Sequence, residues 1–404
     1  MSRTERIAPA LDPDAYRMTE RLSDADRELV ARVRGFVERE VLPVINDAWE
    51  AGRFPERLIP GLAGLGVVGG MIEGNGCPGL TARQYGLVSM ELARGDGSVN
   101  TFLGVHSGLA MGAIDLLGDD AQRARWLPQM ARLELLGAFA LTEPGHGSDA
   151  VSLETTAERR GGSWVLNGAK RWIGNAHRAD VIVVWARDTA DDEVKAFVVE
   201  RGPDGRLPAG FEPTVMGGKT GKRAIEQSDI RIHEVVIPAD RHLTRSASFR
   251  DASRVLARTR GGAAWEAVGH ATVAYRIALD YALERQQFGR PIAEYQLVQH
   301  RLAKMLAEIT AMQLYCFRMA ELAEQGALEG TMSSLAKMYT AERGRWVCSE
   351  ARDILGGNGM LLENHVARHL TDMEVVSTYE GTDAIQSLIV GRDIVGVQAF
   401  SRGR

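Results

Sequence analysis

Apolar residues in the first third of the chain recur every three or four positions. Behind Ser23, a cap for the run that opens Asp24-Ala25-Asp26, the residues Leu29, Val30, Val33, Phe36, Val37 and Val41 fall on one face of a predicted helix, and Pro43 marks its expected stop or kink. Residues 81–93 and 107–117 repeat that period between glycine-rich turns. From about residue 136 the period shortens. Ser163-Trp164-Val165-Leu166 leads into Asn167-Gly168, a dipeptide suited to the positive φ angles of a tight hairpin turn. Residues 181–185 and 196–199 are β-branched runs fit for buried strands, and 228–236 alternates through Ile230 and Ile232. After about residue 247 the helical period returns in longer stretches. Val298, Leu302, Met305, Ile309, Met312, Cys316 and Met319 step by four and three, with Pro291 before them and Gly326 near the end. Gly356-Gly357 follow Leu355 as a helix terminator does. The expectation is an α+β chain in three parts: helical over 1–135, β over 136–246, and a helical bundle over 247–404.

Composition narrows the function classes. A net charge of -5 over 404 residues argues against a surface built to neutralise many nucleic-acid phosphates. The three cysteines, Cys77, Cys316 and Cys348, are far apart, so neither a disulfide framework nor zinc-ligand spacing is present and no metal site is suggested. Neither a signal-type apolar segment nor a run near the ~18 apolar residues of a membrane span is visible, and Ser401-Arg402-Gly403-Arg404 is not a peroxisomal address. A cytoplasmic location is the expectation.

One motif invites a dinucleotide reading. Gly64-x-Gly66-x-x-Gly69 matches the fingerprint, and Glu91 falls roughly where an acidic ribose partner would. The fingerprint needs a strand before it and a helix after it; here a helical run precedes and a loop follows. Glycines that allow close helix packing and a turn are the better reading.

Four other segments carry chemistry. Phe139-Ala140-Leu141-Thr142-Glu143-Pro144-Gly145-His146-Gly147-Ser148-Asp149 can present backbone N–H groups to an anion or a polar ring edge. His146 has nothing to order it into a triad and is expected to be solvated. Lys170-Arg171-Trp172-Ile173-Gly174-Asn175, Glu284-Arg285-Gln286-Gln287-Phe288-Gly289-Arg290-Pro291 with Gln296, and Asp353-Ile354-Leu355-Gly356-Gly357-Asn358-Gly359 followed by Thr378-Tyr379-Glu380-Gly381-Thr382 complete the set. On composition alone, each also reads as a turn, a core aromatic or a solvated helix end. In this order and spacing the four resemble the acyl-CoA dehydrogenase family over nearly the whole chain. The likeness is closest to the glutaryl-CoA dehydrogenase branch and the plant short-chain acyl-CoA oxidases, carried by Thr378–382, Ile389-Val390-Gly391-Arg392 and Gln398-Ala399-Phe400.

The resemblance implies an N-terminal helical domain, a middle β domain and a C-terminal four-helix bundle, with FAD as cofactor and an acyl-CoA as substrate. It implies that Glu380 is the base, taking the α proton while the β hydride passes to the flavin, and that Arg260 lies near that base and the CoA entrance. Glu380 stands just before a helix that Thr382 can cap, with Ile385, Leu388 and Ile389 expected inward. A helix N-terminus favours the carboxylate and burial raises its pKa, opposing terms that suit a base. Leu141, Thr142, Ser148, Trp172, Gly174, Arg285, Phe288, Gln296, Gly357 and Thr382 match cofactor positions, partly from a neighbouring subunit, so a homotetramer is implied. Ser148, Asn100, Arg260, Tyr379 and Gly381 match substrate positions.

Two departures bear on the reaction. In glutaryl-CoA dehydrogenases an arginine, aided by a serine one turn on, holds the distal carboxylate; Asn100 and Gly104 stand at those positions here, and an unpaired buried carboxylate is costly. A decarboxylating enzyme is disfavoured. Gly174 stands where many dehydrogenases have a threonine and where the plant oxidases have glycine. A short-chain or branched acyl-CoA dehydrogenase serving an electron-transfer flavoprotein and an oxidase giving hydrogen peroxide from O2 both remain open. A non-catalytic binding relative is opposed by Glu380 and by the negative charge.

Overall fold

A computed structural model of the chain describes residues 12–397. The readings made on the first 11 residues, on Gln398-Ala399-Phe400 and on the last four residues fall outside it. Helix α1 (Asp24–Phe36) starts as its sequence predicts. Ser23 Oγ accepts from the Asp26 N–H at 3.1 Å, and the Asp26 carboxylate accepts from the Ser23 N–H at 3.0 Å. Pro43 does not stop the chain. A π-helical turn at Val37–Val41 carries it into α2 (Leu42–Ala51), where Pro43 sits in the first turn. Pro43 has no N–H to donate, and the helix departs from α geometry in the turn just before it. Helix α3 (Ile59–Gly64) runs straight into Gly64-x-Gly66-x-x-Gly69, and no described strand precedes it. Glu91 is held by Arg34 at 2.7 Å. The dinucleotide reading therefore fails on both counts. The two-residue strands β1 (Glu73–Gly74) and β2 (Cys77–Pro78) precede α4 (Ala82–Gly95) and α5 (Gly97–Leu103); a π-helical stretch then leads to α6 (Gly112–Leu117) and α7 (Asp120–Ala131).

The middle of the chain folds into one seven-stranded sheet. Its strands are β3 (Gly137–Ala140), β4 (Thr156–Arg160), β5 (Ser163–Gly174), β6 (Val181–Asp188), β7 (Val194–Glu200), β8 (Phe211–Val215) and β9 (Gln227–Pro238). The order is β3-β6-β4-β5-β9-β8 with β7 on β6, antiparallel except where β3 and β4 run parallel to β6. Asn167-Gly168 is not the hairpin. The turn between β4 and β5 is Gly161-Gly162, and Asn167-Gly168 lies inside β5 at a bulge in its register with β9. Gly168 is needed for closeness, since a Cβ there would stand 2.5 Å from Thr155 Oγ1. Asn167 uses its amide to bind Glu234 across the bulge, at 2.7 and 2.8 Å.

Helix α8 (Phe249–Glu284) opens the C-terminal helical domain. The hairpin β10 (Gln286–Gln287) and β11 (Arg290–Pro291) follows, then α9 (Gln296–Glu324), α10 (Gly330–Ile354), α11 (Val366–Thr378) and α12 (Asp383–Val395). The predicted α9 stripe is buried except for Val298, which is half-buried. On α12 the expected inward face is only partly so. Ile385, Leu388 and Ile389 are half-buried and Gln386 is the buried residue, because its amide is drawn to the carbonyls of Glu380 and Gly381.

Helix α4 is shared between two cores. Val88 and Leu92 pack with the N-terminal helices and one face of the sheet, whereas Leu87 and Met90 pack with the bundle. Its approach to α8 is close because both helices offer glycine. A Cβ on Gly86 would stand 2.3 Å from the Trp265 indole, and one on Gly269 would stand 2.3 Å from the Met90 carbonyl oxygen. No helix among the described residues is long and apolar enough to cross a membrane.

Candidate active site

Residues 379–382 form the turn between α11 and α12. Glu380 has φ +55 and Gly381 φ +84, so a residue with a side chain occupies the left-handed region at the one position where a carboxylate projects. Side chains from three directions hold the turn. Gln386 donates to the Glu380 carbonyl at 2.7 Å, Lys337 to the Gly381 carbonyl at 2.7 Å, and the Thr382 hydroxyl caps α12 by accepting from the Ile385 N–H at 3.3 Å. Glu380 Oε1 accepts from the Thr259 hydroxyl at 3.1 Å, and Oε2 is shut off from solvent with no partner. Burial pushes this carboxyl up to about 7, against the Thr259 hydrogen bond and the positive charges of Arg260 and Lys337. A carboxylate poised near neutrality with one free oxygen is a competent proton acceptor.

Glu380 lines a cavity of about 90 Å3 between α4, α5 and α8, together with Tyr85, Asn100, Thr101, Val105, Thr259 and Glu266 among others. Behind it lies a closed polar cluster. Lys222, buried at the edge of the β domain, donates to Glu266 (2.6 Å), Thr101 (2.7 Å) and the Tyr379 hydroxyl (3.0 Å), and that hydroxyl also donates to Glu266. Burial works to raise the Glu266 carboxyl, but Lys222 and His270 outweigh it and draw it down to about 2, so it is an anion. The Tyr379 phenol is held well above its ordinary value by burial and by Glu266, and stays neutral. Deeper still, the Lys222 N–H donates to Asp372 at 2.5 Å, His270 meets His369 at 2.8 Å, and Arg368 pairs with Asp96 at 2.5 Å.

The predicted site residues divide into groups. Glu380, Tyr379 and Asn100 line one cavity. Arg260 acts on Glu380 through its charge while donating to Ser334 at 3.2 Å. A second group lies on the β domain, where the Arg171 N–H donates to the Thr142 carbonyl at 2.8 Å and ties the 141–148 loop to β5. The buried Lys170 fixes that loop further, donating to the Leu141 carbonyl at 3.1 Å and to Glu143 at 2.8 Å. Ser148 is exposed, and His146 is half-buried against Glu154 at 3.3 Å rather than simply solvated. These residues fit a flavin. Trp172 has φ +64 and is 53% exposed, although its strand neighbours Ile173 and Gly174 are buried. The space beside Gly145 and Gly147 is open. A Cβ on Gly174 would meet Val105 and Ile225 at 3.4 Å, and Val105 lines the Glu380 cavity, so the Trp172 strand abuts that cavity.

Arg285, Phe288, Gln296 and Gly357 are a third group, exposed and away from the cavity lining. Phe288 and Gly289 form the tip of the β10–β11 hairpin at φ +54 and +83, and Phe288 is 95% exposed.

Sequence reasoning missed Thr259, Lys222, Glu266, Tyr85 and Thr101. Glu266 carried a readable signal, an acid set alone in the apolar stretch Ala263-Ala264-Trp265-Glu266-Ala267-Val268. Lys222, in a loop with Lys219 and Arg223, carried none.

Known proteins match this chain over most of its length. Family profiles for the N-terminal, middle and C-terminal domains of acyl-CoA dehydrogenase match residues 23–134, 138–235 and 249–395. The human mitochondrial short-chain specific acyl-CoA dehydrogenase is 31% identical over 94% of both chains. A glutaryl-CoA dehydrogenase structure from Mycobacterium smegmatis superposes with a TM-score of 0.92 at 36% identity, covering 95% of this chain and 98% of that one. A second one from that organism, in complex with FADH2, gives a TM-score of 0.93 at 32% identity over 97% and 100%.

Proposed function

The chain belongs to the acyl-CoA dehydrogenase family and is an FAD-dependent oxidoreductase acting on CH–CH donors, and from that premise we propose that it converts a short-chain or branched acyl-CoA to the trans-2-enoyl-CoA with Glu380 as the base. The observation that carries this reading is the Glu380 carboxylate itself: one oxygen bound by Thr259, the other unpartnered at a small cavity, its pKa pushed up to about 7. An α C–H beside a thioester is a weak acid, so its removal needs a dry, oriented base and donors for the charge that develops on the carbonyl oxygen. Glu380 supplies the base, and its left-handed backbone aims the side chain into the cavity while Gln386 and Lys337 keep the turn from relaxing. FAD, when bound, supplies the acceptor for the β hydride.

Leu141, Thr142, Ser148, Trp172, Gly174 and Thr382 hold FAD in this reading, with Trp172 covering the ring. Arg285, Phe288, Gln296 and Gly357 hold the nucleotide end from a neighbouring subunit of a homotetramer. The bare Phe288 (95% exposed) and Leu297 (80% exposed) support a second copy there, since large apolar side chains at a hairpin tip and a helix start are surfaces that a partner covers. Ser148, Arg260, Tyr379 and Gly381 contact the acyl-CoA, and an electron-transfer flavoprotein takes the electrons onward. Decarboxylation of glutaryl-CoA finds no support in the cavity. Asn100 is neutral, and the Lys222 ammonium is already spent on Glu266, Thr101 and Tyr379.

The reading is tested by mixing the purified yellow protein anaerobically with butyryl-CoA and then admitting air. Bleaching of the visible flavin band followed by slow recovery is expected. Fast recovery with stoichiometric hydrogen peroxide would replace the dehydrogenase with the oxidase and draw attention to Gly174.

A further inference from the structure

The cavity against Glu380 presents mostly apolar surface, as an acyl chain asks for, but polar side chains interrupt it. Six polar side chains beside Glu380 and Thr259 line it: Tyr85, Ser89, Asn100, Thr101, Glu266 and Tyr379. Four of these are spoken for. Ser89 donates to the Gly262 carbonyl at 3.1 Å, Thr101 accepts from Lys222 at 2.7 Å, and Glu266 takes Lys222 and Tyr379. The two that remain are the Asn100 carboxamide, on a residue only 9% exposed, and the Tyr85 hydroxyl. Neither finds a hydrogen-bond partner among the described residues. Burial holds the Tyr85 phenol up at about 12, so it is a neutral donor and acceptor. Unpaired polar groups at a buried cavity wall penalise any occupant that leaves them unpaired.

We propose that the acyl group carries a neutral hydrogen-bonding substituent, a hydroxyl or carboxamide, beyond its β carbon, recognised by Asn100 and Tyr85. The inference rests on the acyl-CoA reading above. In that reading the α and β carbons are committed to Glu380 and the flavin, so whatever pairs with Asn100 sits further along the chain. Charge sets the rest of the class. A carboxylate tail would meet the anionic Glu266 with no cation among the described residues that line the cavity, and an ammonium tail would meet Lys222 with Glu266 already satisfied. A hydroxyl or amide both donates and accepts, which matches an amide and a phenol that can each do the same. An alkyl tail of the same size would leave both groups dry.

The test compares two near-isosteric thioesters, 4-hydroxybutanoyl-CoA and pentanoyl-CoA, on the FAD-loaded enzyme with an artificial electron acceptor. The expected kcat/KM ratio favours the hydroxy compound by about tenfold or more. Asn100→Leu, which keeps the shape and removes the hydrogen bonds, is expected to reverse the preference, and Tyr85→Phe to narrow it. Dissociation constants of both thioesters for the Glu380→Gln holoenzyme, read from the flavin difference spectrum, are expected to show the same order without turnover. Pentanoyl-CoA equal or better in wild type, or glutaryl-CoA better than both, would overturn the proposal while leaving dehydrogenation intact. Flavin reduction by none of these thioesters, nor by butyryl-CoA, would overturn the dehydrogenase reading and this proposal with it.

Discussion

Glu380 is a costly residue by every local measure. It carries a side chain at φ +55 and has a buried carboxylate oxygen that no protein donor reaches, and such positions persist where the surroundings over-determine them. Its folded pKa of about 7 lies above the ordinary 4.5, so the unfolded chain ionises first and burial destabilises the fold. That penalty grows between about pH 4.5 and pH 7, is complete above pH 7, and vanishes below 4.5. Glu380→Gln is therefore expected to raise thermal stability at pH 8 by about 2 kcal/mol, less than the full shift because the residue keeps some surface in solvent. The gain is expected to disappear at pH 4.5, which unfolding curves at the two pH values check. The resemblance to a family singled out Glu380 and Asn100. Nothing in the sequence pointed to Thr259 or Lys222, because a side chain's partner is invisible when folding brings it from 121 or 157 positions away.

At the scale of elements, periodicity was legible wherever one face is buried. The α1 face, its Ser23 cap and the α9 stripe follow from spacing alone. Asn167-Gly168 misled because a hairpin turn and a bulge ask for the same backbone freedom. Gly161-Gly162 took the turn, and Thr155 packs where a Cβ of residue 168 would be. The closeness of α4 to α8 was not legible either, since a glycine in a helix does not say what it faces. Gly269→Ala forces a methyl to 2.3 Å from the Met90 carbonyl oxygen. A loss of roughly 1–3 kcal/mol by denaturant titration is expected, despite the better helix propensity of alanine. The two helices frame the cavity, so kcat/KM is expected to fall as well.

Across the whole molecule, Lys222 joins the β domain to α5, α8 and the Glu380 turn through one buried cluster. Removing one charge strands the other: Lys222→Met is expected to cost about 3–5 kcal/mol of stability, and Lys222→Met with Glu266→Leu much less. Thermal unfolding of the two variants checks the difference. The proposed reaction turns on Glu380 as its base, which makes that residue the central claim of the account. Its most direct test is the rate of flavin reduction by butyryl-CoA in anaerobic stopped flow, followed against pH for wild type and Glu380→Gln. The account predicts a wild-type rate that climbs through about pH 7, as the carboxyl loses its proton, and a glutamine variant that binds FAD but reduces it about 10^3-fold more slowly. A glutamine variant that keeps the wild-type rate and pH profile would contradict it.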